Sequence, residues 1–88
     1  MSRRRPLQVI QDAELVTIGE LVRLSGARYS TLKFYTEEGM LHFEQEDEGL
    51  TRRYPRQKAL AQLDRINELK KQGLTITEIK NTLLEEQA

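Results

Sequence analysis

The chain has 88 residues and balances 14 Lys and Arg against 14 Asp and Glu, so its formal net charge is zero. That length supports one modest core and excludes a second independent domain, while neutrality excludes a generic polyanion binder unless the cations converge on one face. The absence of cysteine excludes disulfides and thiolate metal sites and fits a reducing cytoplasm.

Hydrophobic residues make up 38% and charged residues 32%, with two prolines and five glycines, the balance of a charge-rich, mostly helical domain. No apolar run reaches the roughly 18 residues of a membrane span, and no signal-peptide core follows the basic start.

Residues 1–15 read as a basic N-terminal leader. Arg3, Arg4 and Arg5 precede Pro6, which disfavours helix before it and predicts extended chain. The arginines form either a disordered tail or an arm that enters a minor groove or follows phosphates. Leu7, Val9, Ile10 and Leu15 are apolar handles for self-association.

A helix begins at Thr17. Thr17-Ile18-Gly19-Glu20 is a capping box, with Val16 and Leu21 placed as a hydrophobic staple. Leu21 and Leu24 form its inward face, and Gly26 ends it at about Ser25. After the Gly26-Ala27 turn a second helix runs from about Arg28 to Glu38, burying Leu32 and either Tyr35 or Phe34. Gly39 terminates it, with Met40 and Leu41 packing back. Two short helices joined by a glycine turn are the helix-turn-helix signature.

Residues 42–54 do not read as helix. His42-Phe43 and Arg52-Arg53-Tyr54 are short strand candidates around the acidic run Glu44 to Glu48 and Gly49, which predicts a two-stranded wing. Pro55 opens a third helix in which Leu60, Leu63, Ile66 and Leu69 recur at three-residue spacing, and Gly73 closes it. Thr75 and Glu78 then repeat the capping box, with Leu74 and Ile79 as staple. Ile76, Ile79 and Leu83 line a fourth helix ending near Glu86.

The candidate chemistry lies on the second helix and the wing. Arg28, Tyr29, Ser30 and Lys33 supply cationic and hydrogen-bonding groups near the start of a helix, where a major-groove reader needs them. The plainer reading is a solvated helix face. Arg52 and Arg53 follow the wing turn. Because alternate strand residues face opposite ways, one of the two is expected to meet a phosphate with its planar fork. Pairing with the acids at 44–48 is the plainer alternative. Tyr54 is expected at the hinge between wing and third helix, its hydroxyl free for a phosphate, though core packing is the more ordinary role. His42, the single histidine, carries no catalytic assignment. Glu37-Glu38 and Glu85-Glu86 lack the partner acid of a hydrolase, and no glycine-rich phosphate loop exists. No enzyme activity, cofactor or metal is therefore expected.

The ordered set Val16-Thr17-Ile18-Gly19-Glu20-Leu21, Leu24-Ser25-Gly26, Thr31-Leu32-Lys33-Phe34-Tyr35, Glu38-Gly39-Met40-Leu41, Arg52-Arg53-Tyr54, Gln72-Gly73-Leu74 and Glu78-Ile79 resembles the mercury-resistance-regulator (MerR) family over about residues 16–84. The resemblance implies a mainly α winged helix-turn-helix over residues 16–88, with a two-stranded β wing and two helices behind it. It implies double-stranded DNA as partner, a homodimer or self-association on DNA, and a bacterial, cytoplasmic, nucleoid-associated regulator. By position, Ser30, Lys33 and Tyr35 fall where the family contacts bases and phosphates. Arg52 falls at the wing arginine, Tyr54 at the aromatic closing the wing, and Thr17 at a backbone-contacting helix start.

Three departures stand out. Arg28 occupies the usual place of a capping serine, the wing tip is acidic, and the long dimerisation helix and effector domain of longer members are missing from this sequence. The basic start without a sensor domain is similar to the glutamine-repressor branch and to small developmental regulators that bind DNA repeats cooperatively. The implied function is sequence-specific transcription regulation by several copies on repeated half-sites. An excisionase-like architectural factor, or a protein-interaction module on the same fold, remains open. Steep loss of DNA affinity with rising salt separates the DNA binders from the module.

Overall fold

A computed structural model describes residues 4–87. The chain folds in the order α1 (Leu7–Asp12), β1 (Leu15–Val16), α2 (Ile18–Ser25), α3 (Tyr29–Glu37), β2 (Tyr54–Pro55), α4 (Arg56–Lys71) and α5 (Ile76–Gln87). It is the mainly helical winged helix-turn-helix expected, with one small two-stranded antiparallel sheet.

The helix boundaries follow their local chemistry. Thr17 caps α2: its hydroxyl accepts the Glu20 N–H at 3.2 Å, and Glu20 Oε1 accepts the Thr17 N–H at 2.9 Å. Two orphan donors are satisfied reciprocally. Gly26 stops the helix at φ +76°, a left-handed conformation that costs a residue with a Cβ atom. Val16 and Leu21, the staple pair, are both fully buried in the core. The α3 helix ends on Gly39, after which Met40 N–H turns back to the Tyr35 carbonyl at 2.8 Å and Met40 and Leu41 enter the core.

Tyr35 is the buried aromatic of α3, and Phe34 is 43% exposed. Thr36 joins Leu32 and Tyr35 on the buried side. On α4 the buried stripe is Ala59, Leu63, Ile66 and Leu69, whereas Leu60 lies only half-buried beside it. In α5, Ile79 and Leu83 are buried and Ile76 packs at the edge.

The sheet departs from the expected register. Strand β2 pairs with β1 of the leader, Leu15 opposite Pro55 and Val16 opposite Tyr54. In the expected wing, pairing is confined to one bridge, which joins Arg53 to Glu44, one residue past the expected His42-Phe43 strand, with N···O distances of 2.6 and 2.9 Å. The composition explains the short ladder. Residues 42–54 contain one β-branched residue, Thr51, and crowd Glu44, Glu46, Asp47 and Glu48 together, so little favours a longer pleat.

The leader is built into the domain. Ile10, expected among the self-association handles, is fully buried in the core, while Leu7 and Val9 remain 44% and 48% exposed. The alternation is helical, since a short amphipathic helix turns one apolar residue inward. Arg56 fastens the leader's end: its N–H donates to the Glu14 carbonyl at 2.8 Å and its Nε–H to the Ala13 carbonyl at 2.7 Å. Arg5 fastens its beginning, donating from Nε and Nη2 to both carboxylate oxygens of Glu20 at 2.6 Å and to the Leu15 carbonyl at 3.1 Å. Arg23 in turn donates to the Arg5 carbonyl at 2.6 Å. The Arg5 fork, with help from the Thr17 amide, holds the Glu20 carboxyl down to about 2 against the opposing effect of burial. Arg5 is therefore a structural clasp and not part of a free arm. Arg4 is exposed, and Arg3 lies outside the described residues.

Candidate nucleic-acid interface

The α3 helix presents one solvent face. Leu32, Tyr35 and Thr36 turn inward, which leaves Tyr29, Ser30, Lys33 and Phe34 exposed on the opposite side, with Arg28 exposed just before the helix. Arg28 is the N-cap in extended conformation and makes no side-chain cap bond. The first turn of α3 carries no acid either. Substituting arginine at the usual capping-serine position leaves the helix start intact and its positive dipole end uncompensated. Tyr29 is 55% exposed, so two large aromatics stand on this face beside one lysine.

Three of the sequence-predicted site residues are engaged within the protein. The Thr17 hydroxyl is occupied by the Glu20 amide. Tyr35 is 3% exposed and its hydroxyl receives the Lys70 ammonium at 3.4 Å, so the ring belongs to the core. Tyr54, expected to offer a free hydroxyl, is 1% exposed, and its Oη lies 2.9 Å from Thr36 Oγ. Thr36 donates its own proton to the Leu32 carbonyl at 2.7 Å, so the tyrosine is the donor in that pair. Tyr54 thus ties the base of the wing to the inner side of α3.

The two wing arginines diverge. The Arg52 guanidinium lies over the Phe43 ring, 4.7 Å from its centroid, and Phe43 in turn tilts against Tyr54 with centroids 6.2 Å apart. These contacts run without a break from Arg52 to Phe43, Tyr54 and Thr36, and so join the wing arginine to α3. Arg53 points elsewhere. It lines an open groove of about 480 Å³ with Leu15, Glu44, Gln45, Glu46, Leu50 and Thr51, among the acids of the wing tip.

Charge pairing divides the molecule. Arg5 is bound to Glu20, Arg65 to Glu86 and Glu68, and Lys80 to Glu38. Arg23 and Arg56 are held by backbone carbonyls. Among the described residues, Arg28, Lys33, Arg52 and Arg53 make no ion pair. The cations at the start of α3, on its exposed face and on the wing are thus unpaired among the described residues, as are Arg4 of the leader and Lys58, Lys70 and Lys71 of α4.

The sequence leaves Tyr35 and Phe34 as alternatives for the buried aromatic of α3, and the structure chooses Tyr35, because Leu32 and Tyr35 together leave Phe34 on the far side of the helix. Lys58 belongs in the sequence to a basic cluster with Arg52, Arg53 and Arg56. No described helix is long and apolar enough to cross a membrane. Nothing among curated proteins or among solved structures matches the chain significantly. The family model described as "MerR HTH family regulatory protein" matches residues 16–86. That span takes in the helix-turn-helix, the wing and both following helices, and the chain accordingly belongs to the MerR family of DNA-binding, non-enzymatic transcription regulators.

Proposed function

We propose that this protein is a sequence-specific regulator that sets the solvent face of α3 in a major groove, lays Arg52 on the phosphate backbone, and acts as several copies on repeated half-sites. The observation that carries the reading is the placement of free cations: Arg28, Lys33 and Arg52, at the start of α3, on its solvent face and on the wing, are exposed and in no ion pair among the described residues. In this reading Arg28, Tyr29, Ser30 and Lys33 meet base edges and phosphates, and Thr17, Tyr35 and Tyr54 hold the elements that present them. A single module of this kind buries on the order of 600–1,000 Å² against DNA, too little for tight selective binding alone. Leu7, Val9 and Leu15, exposed on the leader, supply apolar surface for a second copy.

A footprinting titration on the upstream region of the protein's own gene, run at two salt concentrations, tests this. Repeated protected half-sites and a steep salt dependence are expected. Arg52→Ala should weaken binding to every sequence and lower the log–log salt slope by about 1, whereas substitution of Ser30 or Arg28 should change which sequence is preferred. Failure to bind any duplex at low salt would refute the reading and leave a protein-interaction module. A footprint at a recombination site would make the protein an architectural factor.

A further inference from the structure

The α4 helix directs a cation toward the base of the wing. Lys58 and Gln62 stand one turn apart and share a stripe of that helix. Gln62 Oε1 accepts the His42 N–H at 3.0 Å, which fixes the stripe against the His42–Phe43 segment. Lys58, Gln62, His42 and Phe43 line one open cleft of about 180 Å³. The Arg52 guanidinium lies over the ring of the same Phe43, 4.7 Å from its centroid. A half-buried aromatic thus carries a guanidinium over its face and borders a cleft that Lys58 lines, and Lys58 lines a second open groove with Asp12, Glu14 and Arg56.

Neither cation makes an ion pair among the described residues, and both are exposed. The first turn of α4 has no acidic residue and no side-chain cap, and the carboxylates nearest to it in space, Asp12 and Glu14, belong to the leader and line the groove on the other side of Lys58. Arg56, two residues before Lys58, is turned away to the Ala13 carbonyl and leaves the position to the lysine. Phe43 sets the spacing, because the cation over its face is attracted to the ring and is held off the core.

From these contacts we infer that Lys58 and Arg52 form a two-cation seat for the DNA phosphate backbone, which makes α4 a third contact element beside α3 and the wing. The inference rests on the proposed DNA-binding function and adds a residue to it. Arginine supplies a planar fork for one phosphate, and the lysine adds a mobile point charge on the same stretch of strand.

The test is a salt titration of binding to a mixed-sequence duplex by the full chain and by Lys58→Ala, Lys58→Arg and Arg52→Ala, paired with phosphate-ethylation interference. Lys58→Ala should lower the slope by about 0.9, so that over a fourfold rise in salt it loses about 3.5-fold less affinity than the parent. Lys58→Arg should retain the parent slope, and thermal melting should be unchanged in both because the side chain is exposed. Interference should vanish in Lys58→Ala and Arg52→Ala at the same or adjacent phosphates. A parent slope in Lys58→Ala beside a lowered slope in Arg52→Ala would overturn the shared seat and leave the proposed function standing. Interference lost at well-separated phosphates would overturn it too. Parent slopes in both variants would remove the wing from the interface altogether.

Discussion

At the start of α2, Thr17 and Glu20 exchange hydrogen bonds of 3.2 and 2.9 Å; at the start of α5, Thr75 and Glu78 make the same exchange at 3.2 and 2.8 Å. The local geometry is nearly identical, but the surroundings are not. The Glu20 side chain is 12% exposed and gripped by the Arg5 fork, whereas Glu78 is exposed and has the cap alone. One four-residue pattern therefore serves two purposes. At α5 it only starts a helix, and at α2 it also anchors the leader across fifteen residues of sequence. What a capping box contributes depends on the third group that reaches its carboxylate.

The comparison breaks most visibly at the two glutamates. Glu20→Ala removes a cap and a charge-assisted bidentate bond, and should cost about 2 kcal/mol, or about 10 °C in Tm, by calorimetry. Glu78→Ala should shift Tm by clearly less, and equal shifts would make Arg5 irrelevant. Acid titration sharpens the same contrast. The Glu20 carboxyl is lowered from 4.5 to about 2 in the folded chain, chiefly by Arg5. Its stabilisation is therefore complete above about pH 4.5 and is lost as pH falls toward 2. Denaturant unfolding across that window should show a flatter acid limb in Glu20→Gln. Glu78→Gln should change the limb less, because its carboxyl, although also lowered, has only the Thr75 cap to hold it.

Smaller effects test the shared part. Both threonine hydroxyls accept at 3.2 Å, so Thr17→Ala and Thr75→Ala should each cost about 1 kcal/mol in chemical denaturation. A markedly larger loss at Thr17 would show that cap and clasp act as one unit. Arg5→Ala should cost no more than Glu20→Ala, since it leaves the cap in place and its side chain is 39% exposed. It should still move the Glu20 titration upward when followed by carboxyl NMR.

The parts legible in the sequence are those with short-range causes. Both capping boxes, the glycine stops at Gly26 and Gly39, and the buried Leu63, Ile66 and Leu69 are set by residues within a turn or two of each other. The pairing of Leu15–Val16 with Tyr54–Pro55 is not, because nothing in either dipeptide specifies a partner so distant in the chain. Ile10 was missed as core for a related reason, since a helix of six residues gives too little periodicity to show its inner side. At the candidate interface, the exposure of Arg28, Ser30 and Lys33 followed from the helical period. The engagement of the Tyr54 hydroxyl and of Arg5 did not, for each depends on one distant partner, Thr36 or Glu20.

The buried hydroxyl chain from Tyr54 through Thr36 to the Leu32 carbonyl is directional. Losing the phenolic oxygen first leaves the threonine still bonded to its carbonyl, whereas losing the threonine hydroxyl first strands a phenol in the interior. Descendants of this sequence can trade the polar pair for an apolar one by a path that begins at position 54, while the path that begins at position 36 passes through a less stable ancestor. The order of two mutations is thus written into which oxygen donates and which accepts.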